Sequence, residues 1–290
     1  MPEIISPIIT PFNHNNEIEK DKLKLHAKNL IEKGIDALFV NGTTGLGPSL
    51  RKEEKLKNLE IIYDVTNKII FQVGGMDIEE TIELIKASKD YDIIAIASYP
   101  LIYYPRIPEE HIIKYFKILN DHSPHPLYLY NYPLATGKDV DAKIVQKIGC
   151  IKGVKDTNES IAHSLDYKRF NEGIKVYNGS DMLILTSMST GLDGSVASST
   201  NYLPELAVKI KQYILNNDKE KAIKLQFLLS DIAEYARSLG SLSANYIFTE
   251  FFQGYDIGIP RGPIFELENK KEIFTKLSRY KERLMEILEQ

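Results

Sequence analysis

Lys155 closes the run Ile151-Lys152-Gly153-Val154-Lys155, which passes directly into Asp156-Thr157, a pair expected to start a helix. A strand that ends in a lysine just before a turn presents an amine at the mouth of a parallel sheet or barrel. Partial burial strips water from such an amine, lowers its pKa and leaves it able to attack a ketone and form a Schiff base. A second run, Pro126-Leu127-Tyr128-Leu129-Tyr130, ends on a phenol able to carry protons. A third, Ala37-Leu38-Phe39-Val40, opens into Asn41-Gly42-Thr43-Thr44-Gly45, where backbone amides can cradle a carboxylate. Amine, phenol and anion cradle together point to carbonyl chemistry. None of the three would suffice alone.

Each residue has a plainer reading beside this one. An isolated lysine at a strand end most often snorkels to solvent. Lys152 serves as an internal control, because strand alternation puts it on the face opposite Lys155. Lys155 instead shares its face with Gly153, whose missing side chain is expected to leave room beside the amine. With 17 tyrosines in the chain, one at a strand end is usually an amphipathic core-edge residue. Tyr130 stands out because Asn131-Tyr132-Pro133-Leu134-Ala135-Thr136-Gly137, a long turn, begins directly after it.

The elements that must position these groups recur along the chain. Apolar runs at 4–9, 37–40, 69–73, 93–97, 126–130, 151–155, 175–178 and 194–197 read as strands. Segments of helical spacing separate them, and Asp77 with Glu80 reads as an N-cap and capping box. Eight strands alternating with helices imply a closed (β/α)8 TIM barrel more readily than an open sheet. Gly42, Gly45 and Gly47 have the wrong spacing for a dinucleotide fingerprint. No strand pattern follows residue 203, so the reading divides the chain into a barrel at 1–202 and a C-terminal helical extension at 203–290. In a parallel barrel the active site lies at the carboxyl ends of the strands, where Lys155, Tyr130 and the Thr43-Thr44 loop all fall.

Composition narrows the class further. With 43% hydrophobic and 26% charged residues over 290, the chain can bury a full core. The net charge of −4, with both signs interspersed, argues against a nucleic-acid partner. The single cysteine, Cys150, forms no intramolecular disulfide. Apolar runs are too short to span a bilayer, and the N-terminus lacks the basic and apolar regions of a signal peptide, so a cytoplasmic protein is expected. None of the six histidines (His14, His26, His111, His122, His125, His163) closes a strand, which argues against a metal centre. No cofactor is expected.

Taken in order, Gly42-Thr43-Thr44-Gly45, Tyr130-Asn131-Tyr132-Pro133 and Gly153-Val154-Lys155-Asp156 resemble the dihydrodipicolinate synthase / N-acetylneuraminate lyase superfamily. These are pyruvate-dependent class I aldolases on a (β/α)8 barrel with a helical extension. The segments from Phe39 to Ser49 and from Gly240 to Ser243 are most similar to the 2-keto-3-deoxygluconate / 2-keto-3-deoxy-6-phosphogluconate aldolases.

The resemblance implies roles position by position. Lys155 would form the Schiff base, and Tyr130 would move the C4 hydroxyl proton with help from the Thr44 hydroxyl. Amides at Thr43 and Thr44 would hold the carboxylate, and Pro7 would line the substrate site. Tyr103 would reach into the site of a neighbouring subunit in a homotetramer. Thr157, Gly179, Asp181 and Ser198 would meet the polyol. Arg106, Tyr132, Arg237 and Ser241 would hold a 6-phosphate, since a phosphate is best held by guanidinium. The small-molecule partners implied are a 2-keto-3-deoxy sugar acid, pyruvate and glyceraldehyde, in Entner-Doudoroff-type sugar catabolism.

One departure is informative. Dihydrodipicolinate synthases carry an arginine two residues after the proline of the Tyr-Asn-x-Pro turn, whereas Leu134-Ala135 follow Pro133 here. The missing cation disfavours condensation with an amino-aldehyde. Another pyruvate-dependent lyase, of the N-acetylneuraminate lyase or dihydrodipicolinate synthase type, remains the alternative. A non-catalytic sugar-acid-binding barrel is the alternative outside enzymes, since fold alone does not decide function.

Overall fold

A computed structural model describes residues 1–289. Eight parallel strands close into a barrel in chain order. They are β1 (Glu3–Ser6), β2 (Ala37–Val40), β3 (Ile69–Gln72), β4 (Ala95–Ser98), β5 (Leu127–Asn131), β6 (Ile151–Asp156), β7 (Lys175–Asn178) and β8 (Gly194–Val196). The helices between them are α1 (Lys20–Glu32), α2 (Lys52–Tyr63), α3 (Ile78–Ala87), α4 (Glu109–His122), the single turn α5 (Pro133–Thr136), α6 (Ala142–Ile148), α7 (Ile161–Phe170) and α8 (Ile184–Ser189). After β8 come α9 (Pro204–Leu215), α10 (Lys219–Ser238), α11 (Ser241–Gln253) and α12 (Lys270–Glu289). The expected TIM barrel with a helical extension is the fold.

Strand alternation sorts the apolar residues into two layers. Phe39, Ile70, Ala97, Tyr99, Tyr128, Tyr130 and Tyr177 fill the barrel interior with Ile5 and Val196. Their neighbours Leu38, Val40, Phe71, Ile96, Leu129 and Val154 point outward and pack with helix residues such as Leu23, Leu59, Leu84 and Phe116. Each such side chain contributes roughly 1.5–3 kcal/mol when fully buried.

Gly153 faces the interior as expected, but it makes room for a different neighbour. A Cβ on Gly153 would lie 2.6 Å from Cζ of Tyr128, so the vacant volume is filled by that ring and not by the amine. Tyr128 in turn stacks on Tyr177 and has little space to retreat. Gly153→Ala is therefore expected to cost about 1–3 kcal/mol by overpacking. Thermal unfolding reads this out, and an unchanged Tm would show that the ring yields freely.

Two local expectations need correction. Asp77 caps α3 by accepting from the Glu79 amide, but Glu80 turns to Lys55, at 3.7 Å, instead of closing a capping box. Asp156-Thr157 starts no helix: α7 begins at Ile161 behind Ser160, and Asp156 stays in β6.

Helix α9 packs against α8 and α10 and also meets the segment between α1 and β2. There Lys211 pairs with Asp36 at 2.7 Å, and Val208 abuts Gly34. Helix α10 lies against both α9 and α12. Among the described residues no helix is long and apolar enough to cross a membrane.

Candidate active site

The register of β5 against β6 pairs Tyr130 with Lys155, so the amine and the phenol leave adjacent strands at the same height. Lys152 is exposed while Lys155 is 5% exposed, as alternation requires. The Lys155 ammonium position lies 4.0 Å from the centre of the Tyr130 ring and 4.4 Å from that of Phe39. Burial pushes its pKa down to about 7, opposed by the negative charge of Asp181. A large fraction of the amine is then unprotonated near neutrality. That is the state a Schiff-base nucleophile needs.

Tyr130 is buried, and desolvation raises its phenol to about 12, with the hydroxyls of Thr43 and Thr157 pulling the other way. Its hydroxyl lies 3.0 Å from Oγ1 of Thr43. The hydrogen-bond partner of the phenol is thus Thr43. Thr44 lines the same cavity without that contact. The loop is shaped by left-handed conformations at Asn41 and Leu46 and by the Thr10 hydroxyl, which donates to the Gly45 carbonyl at 2.8 Å. Among the described residues no internal hydrogen bond takes up the Thr43 or Thr44 amide. Both amides remain available to a carboxylate.

A cavity of about 550 Å³ opens above these groups and is lined by Pro7, Thr43, Thr44, Tyr130, Tyr132, Lys155, Thr157, Gly179, Asp181, Ser198, Arg237 and Ser241. Sequence reading named these twelve, and other residues line the cavity beside them. Thr157 Oγ1 is buried near the Tyr130 hydroxyl but lacks the alignment of a hydrogen bond. A side chain on Gly179 would cover it, since a Cβ there would lie 2.7 Å away. Asp181 accepts from the Ser198 hydroxyl at 2.8 Å and from the Ser199 amide at 2.7 Å. Gln226 of α10 donates to its carbonyl, so the extension fixes this acid in place.

Tyr132 stacks on Tyr130 with ring centres 6.1 Å apart. Burial is the main cause raising its phenol, while Arg237 and Glu159 act on it with opposite signs. Arg237 ends α10 and Ser241 opens α11, so both stand where the extension meets the barrel mouth.

Two named residues are elsewhere. Tyr103 and Arg106 sit on the loop after β4, both exposed and both with positive φ, at 69° and 55°; neither lines the cavity of its own chain. Of the four residues read as a phosphate site, Tyr132, Arg237 and Ser241 line the cavity and Arg106 does not.

Sequence reading missed Glu159 and Asn245. Glu159 lines the cavity and pairs with Arg237 at 3.0 Å. Asn245 lines it from α11 with its Oδ1 buried and unpartnered. A polar residue on an otherwise apolar stretch, Ala244 to Phe248, was the available signal for Asn245.

Behind Lys155, on the opposite face of β6, Asp156 is fully buried and holds a polar network. Its Oδ1 accepts from Asn131 at 3.1 Å, and its Oδ2 accepts from the Ser164 hydroxyl at 2.7 Å and lies 2.9 Å from Nδ1 of His163. Nε2 of His163 lies 3.2 Å from Asp139, a charge contact without hydrogen-bond alignment. Asp139 first and Asp156 next raise His163 to about 10, so it is an imidazolium at neutral pH.

The folded pKa lies above the unfolded value of 6.5, so this contribution is complete below pH 6.5 and is lost as pH rises toward 10. Its size should be on the order of 3 kcal/mol after solvent screening at the half-exposed Asp139. Denaturant unfolding of the wild type and His163→Gln at pH 6 and 10 checks it. A difference between the two proteins that does not shrink with pH would sink the idea.

An inward lysine ending β6, beside a phenol ending β5, defines a barrel built for Schiff-base chemistry. The chain belongs to the dihydrodipicolinate synthetase family, whose sequence model matches residues 1–272. It is 60% identical over 289 residues to the 2-dehydro-3-deoxy-phosphogluconate/2-dehydro-3-deoxy-6-phosphogalactonate aldolase of Saccharolobus solfataricus, covering 99% of this chain and 98% of that one. The 2-dehydro-3-deoxy-D-gluconate/2-dehydro-3-deoxy-phosphogluconate aldolase of Thermoproteus tenax is 44% identical over 274 residues, covering 94% and 89%. Among solved structures, the Sulfolobus solfataricus 2-keto-3-deoxygluconate aldolase in complex with D-KDPG matches with a TM-score of 0.97 at 59% identity, covering 99% and 98%. The family and the fold read from the sequence are both borne out.

Proposed function

We propose that this chain is a class I aldolase that reversibly cleaves 2-keto-3-deoxygluconate and its 6-phosphate to pyruvate and glyceraldehyde or glyceraldehyde 3-phosphate. The observation that carries the reading is the buried Lys155 amine, held near a pKa of 7 against the Tyr130 ring at the strand ends. The aldolase names of relatives at 60% and 44% identity support the substrate class.

The chemistry follows from the groups. The neutral Lys155 amine adds to the C2 carbonyl, and loss of water leaves a cationic iminium. Tyr130 accepts the C4 hydroxyl proton while the C3–C4 bond breaks and its electron pair flows into the iminium, giving an enamine and a free aldehyde. Protonation at C3 and hydrolysis then release pyruvate and restore the amine. A phenol near 12 is protonated at rest, so it must pass its own proton on as it takes the one from C4. The iminium charge formed beside its ring lowers that value when proton transfer is required, and the Thr43 hydroxyl offers the proton a way on.

The substrate carboxylate is assigned to the Thr43 and Thr44 amides, and the polyol to Thr157, Gly179, Asp181 and Ser198 beside Pro7. Tyr132, Arg237 and Ser241 are assigned to the phosphate. Tyr103 and Arg106 share one loop, so a homotetramer that brings a neighbour's Tyr103 to this site brings its Arg106 as well. Tetrameric assembly and a cytoplasmic location are parts of this proposal.

Incubation with pyruvate and borohydride, followed by intact mass and peptide mapping, tests it. One reduced pyruvate adduct on Lys155 is expected. No adduct, or one on Lys152, would overturn the assignment and favour the non-catalytic barrel.

A further inference from the structure

The inference here deepens the proposed function and rests on the reading of Tyr132, Arg237 and Ser241 as the phosphate end of the cavity. Four charged side chains line that cavity: Lys155, Glu159, Asp181 and Arg237. Lys155 lies at its buried end, and Asp181 is engaged by Ser198 and Ser199. One guanidinium and one carboxylate are left. They face each other with Nη1 of Arg237 3.0 Å from Oε1 of Glu159.

The two come from different parts of the fold, Arg237 from the end of α10 and Glu159 from the connection between β6 and α7. Their side chains are 42% and 68% exposed, so the pair is weak and easily exchanged. Tyr132 senses both charges and stands beside them on the cavity wall.

We propose that Glu159 is a built-in competitor for the substrate's phosphate, and that its displacement from Arg237 lets one cavity accept both the free and the phosphorylated sugar acid. With the pair closed, this end of the cavity is electrically neutral and offers one acceptor and several donors. That suits a terminal alcohol, which donates to the carboxylate and accepts from the guanidinium. A phosphate dianion repels the carboxylate and replaces it on Arg237 with two parallel hydrogen bonds. Each phosphorylated substrate must therefore first break the pair, which raises its KM. Glu159 acts through Arg237 as a specificity-determining, positioning residue.

Steady-state cleavage of 2-keto-3-deoxygluconate and of its 6-phosphate by the wild type, Glu159→Gln and Arg237→Gln provides the test. Glu159→Gln keeps the shape and removes the charge. It should raise the ratio of kcat/KM for phosphorylated over free substrate about three- to fivefold, the range set by an exposed ion pair, and the change should lie in KM. Arg237→Gln should lower the same ratio about tenfold or more. A ratio unmoved by Glu159→Gln but lowered by Arg237→Gln would overturn the role of Glu159 and leave the phosphate site standing. A ratio unmoved by Arg237→Gln would overturn the phosphate site itself, and the competitor with it.

Discussion

Replacing Lys155 with methionine should abolish pyruvate trapping and lower kcat/KM by about 10⁵-fold or more, the loss typical of removing a covalent nucleophile. The same variant should be more stable than the wild type. Burial holds the folded-state pKa of Lys155 near 7, below the ordinary lysine value. Below pH 7 the folded protein must carry a buried charge, and that cost is complete there. It declines as pH rises toward 10.5, where the unfolded chain also loses the proton. Methionine fills a similar volume without the charge, so a gain on the order of 2–4 kcal/mol is expected below pH 7. Denaturant unfolding at pH 6 checks the second half. An inactive variant that is also less stable would point to a structural role for the lysine.

The pH–rate profile of the wild type tests the same residue without mutation. An ordinary lysine is neutral in roughly one molecule in 3,000 at pH 7, whereas one titrating there is neutral in about half. As pH rises through 7 the free amine increases, so kcat/KM should climb between about pH 6 and 8 and then level. A rise that continues in proportion to hydroxide up to pH 9 would mean that Lys155 is not depressed.

Tyr130→Phe should lower kcat by about 10²–10⁴-fold, the usual worth of a positioned acid–base group. The substitution leaves the ring beneath Lys155 and its stack on Tyr132, removing only the hydroxyl that meets Thr43. Schiff-base formation with pyruvate should therefore survive and still trap on Lys155. Thr43→Val should reduce kcat by about tenfold, by breaking the onward hydrogen bond. Thr44→Val, which touches no phenol, should act less on kcat. The reverse order for the two threonines would restore Thr44 to the proton path, and loss of trapping in Tyr130→Phe would mean that the phenol serves amine addition instead.

Much of this protein was legible before any tertiary contact was known. The (β/α)8 repeat is written as a local alternation of strand and helix periods, and each strand's period of two assigns its residues to the interior or to the helix layer. That rule alone put Lys155 inside and Lys152 outside. The carboxyl-end rule for parallel barrels then gathered Lys155, Tyr130 and the Thr43-Thr44 loop toward one mouth, and the family resemblance added Thr157, Gly179, Asp181 and Ser198. Other decisions belong to segments that meet only in the folded chain. Thr43 and Thr44 are adjacent in a loop, and which one reaches Tyr130 depends on a contact across 87 residues. Gly153 is small because Tyr128 on the adjacent strand fills its place, and α9 meets the segment between α1 and β2 through Asp36 and Gly34. Glu159 reads as an ordinary loop acid until α10 delivers Arg237 to it. Period and propensity are properties of a short stretch, so sequence carries them. Which side chain fills a gap or faces a charge depends on how remote stretches pack, and only the closed barrel with its extension decides that.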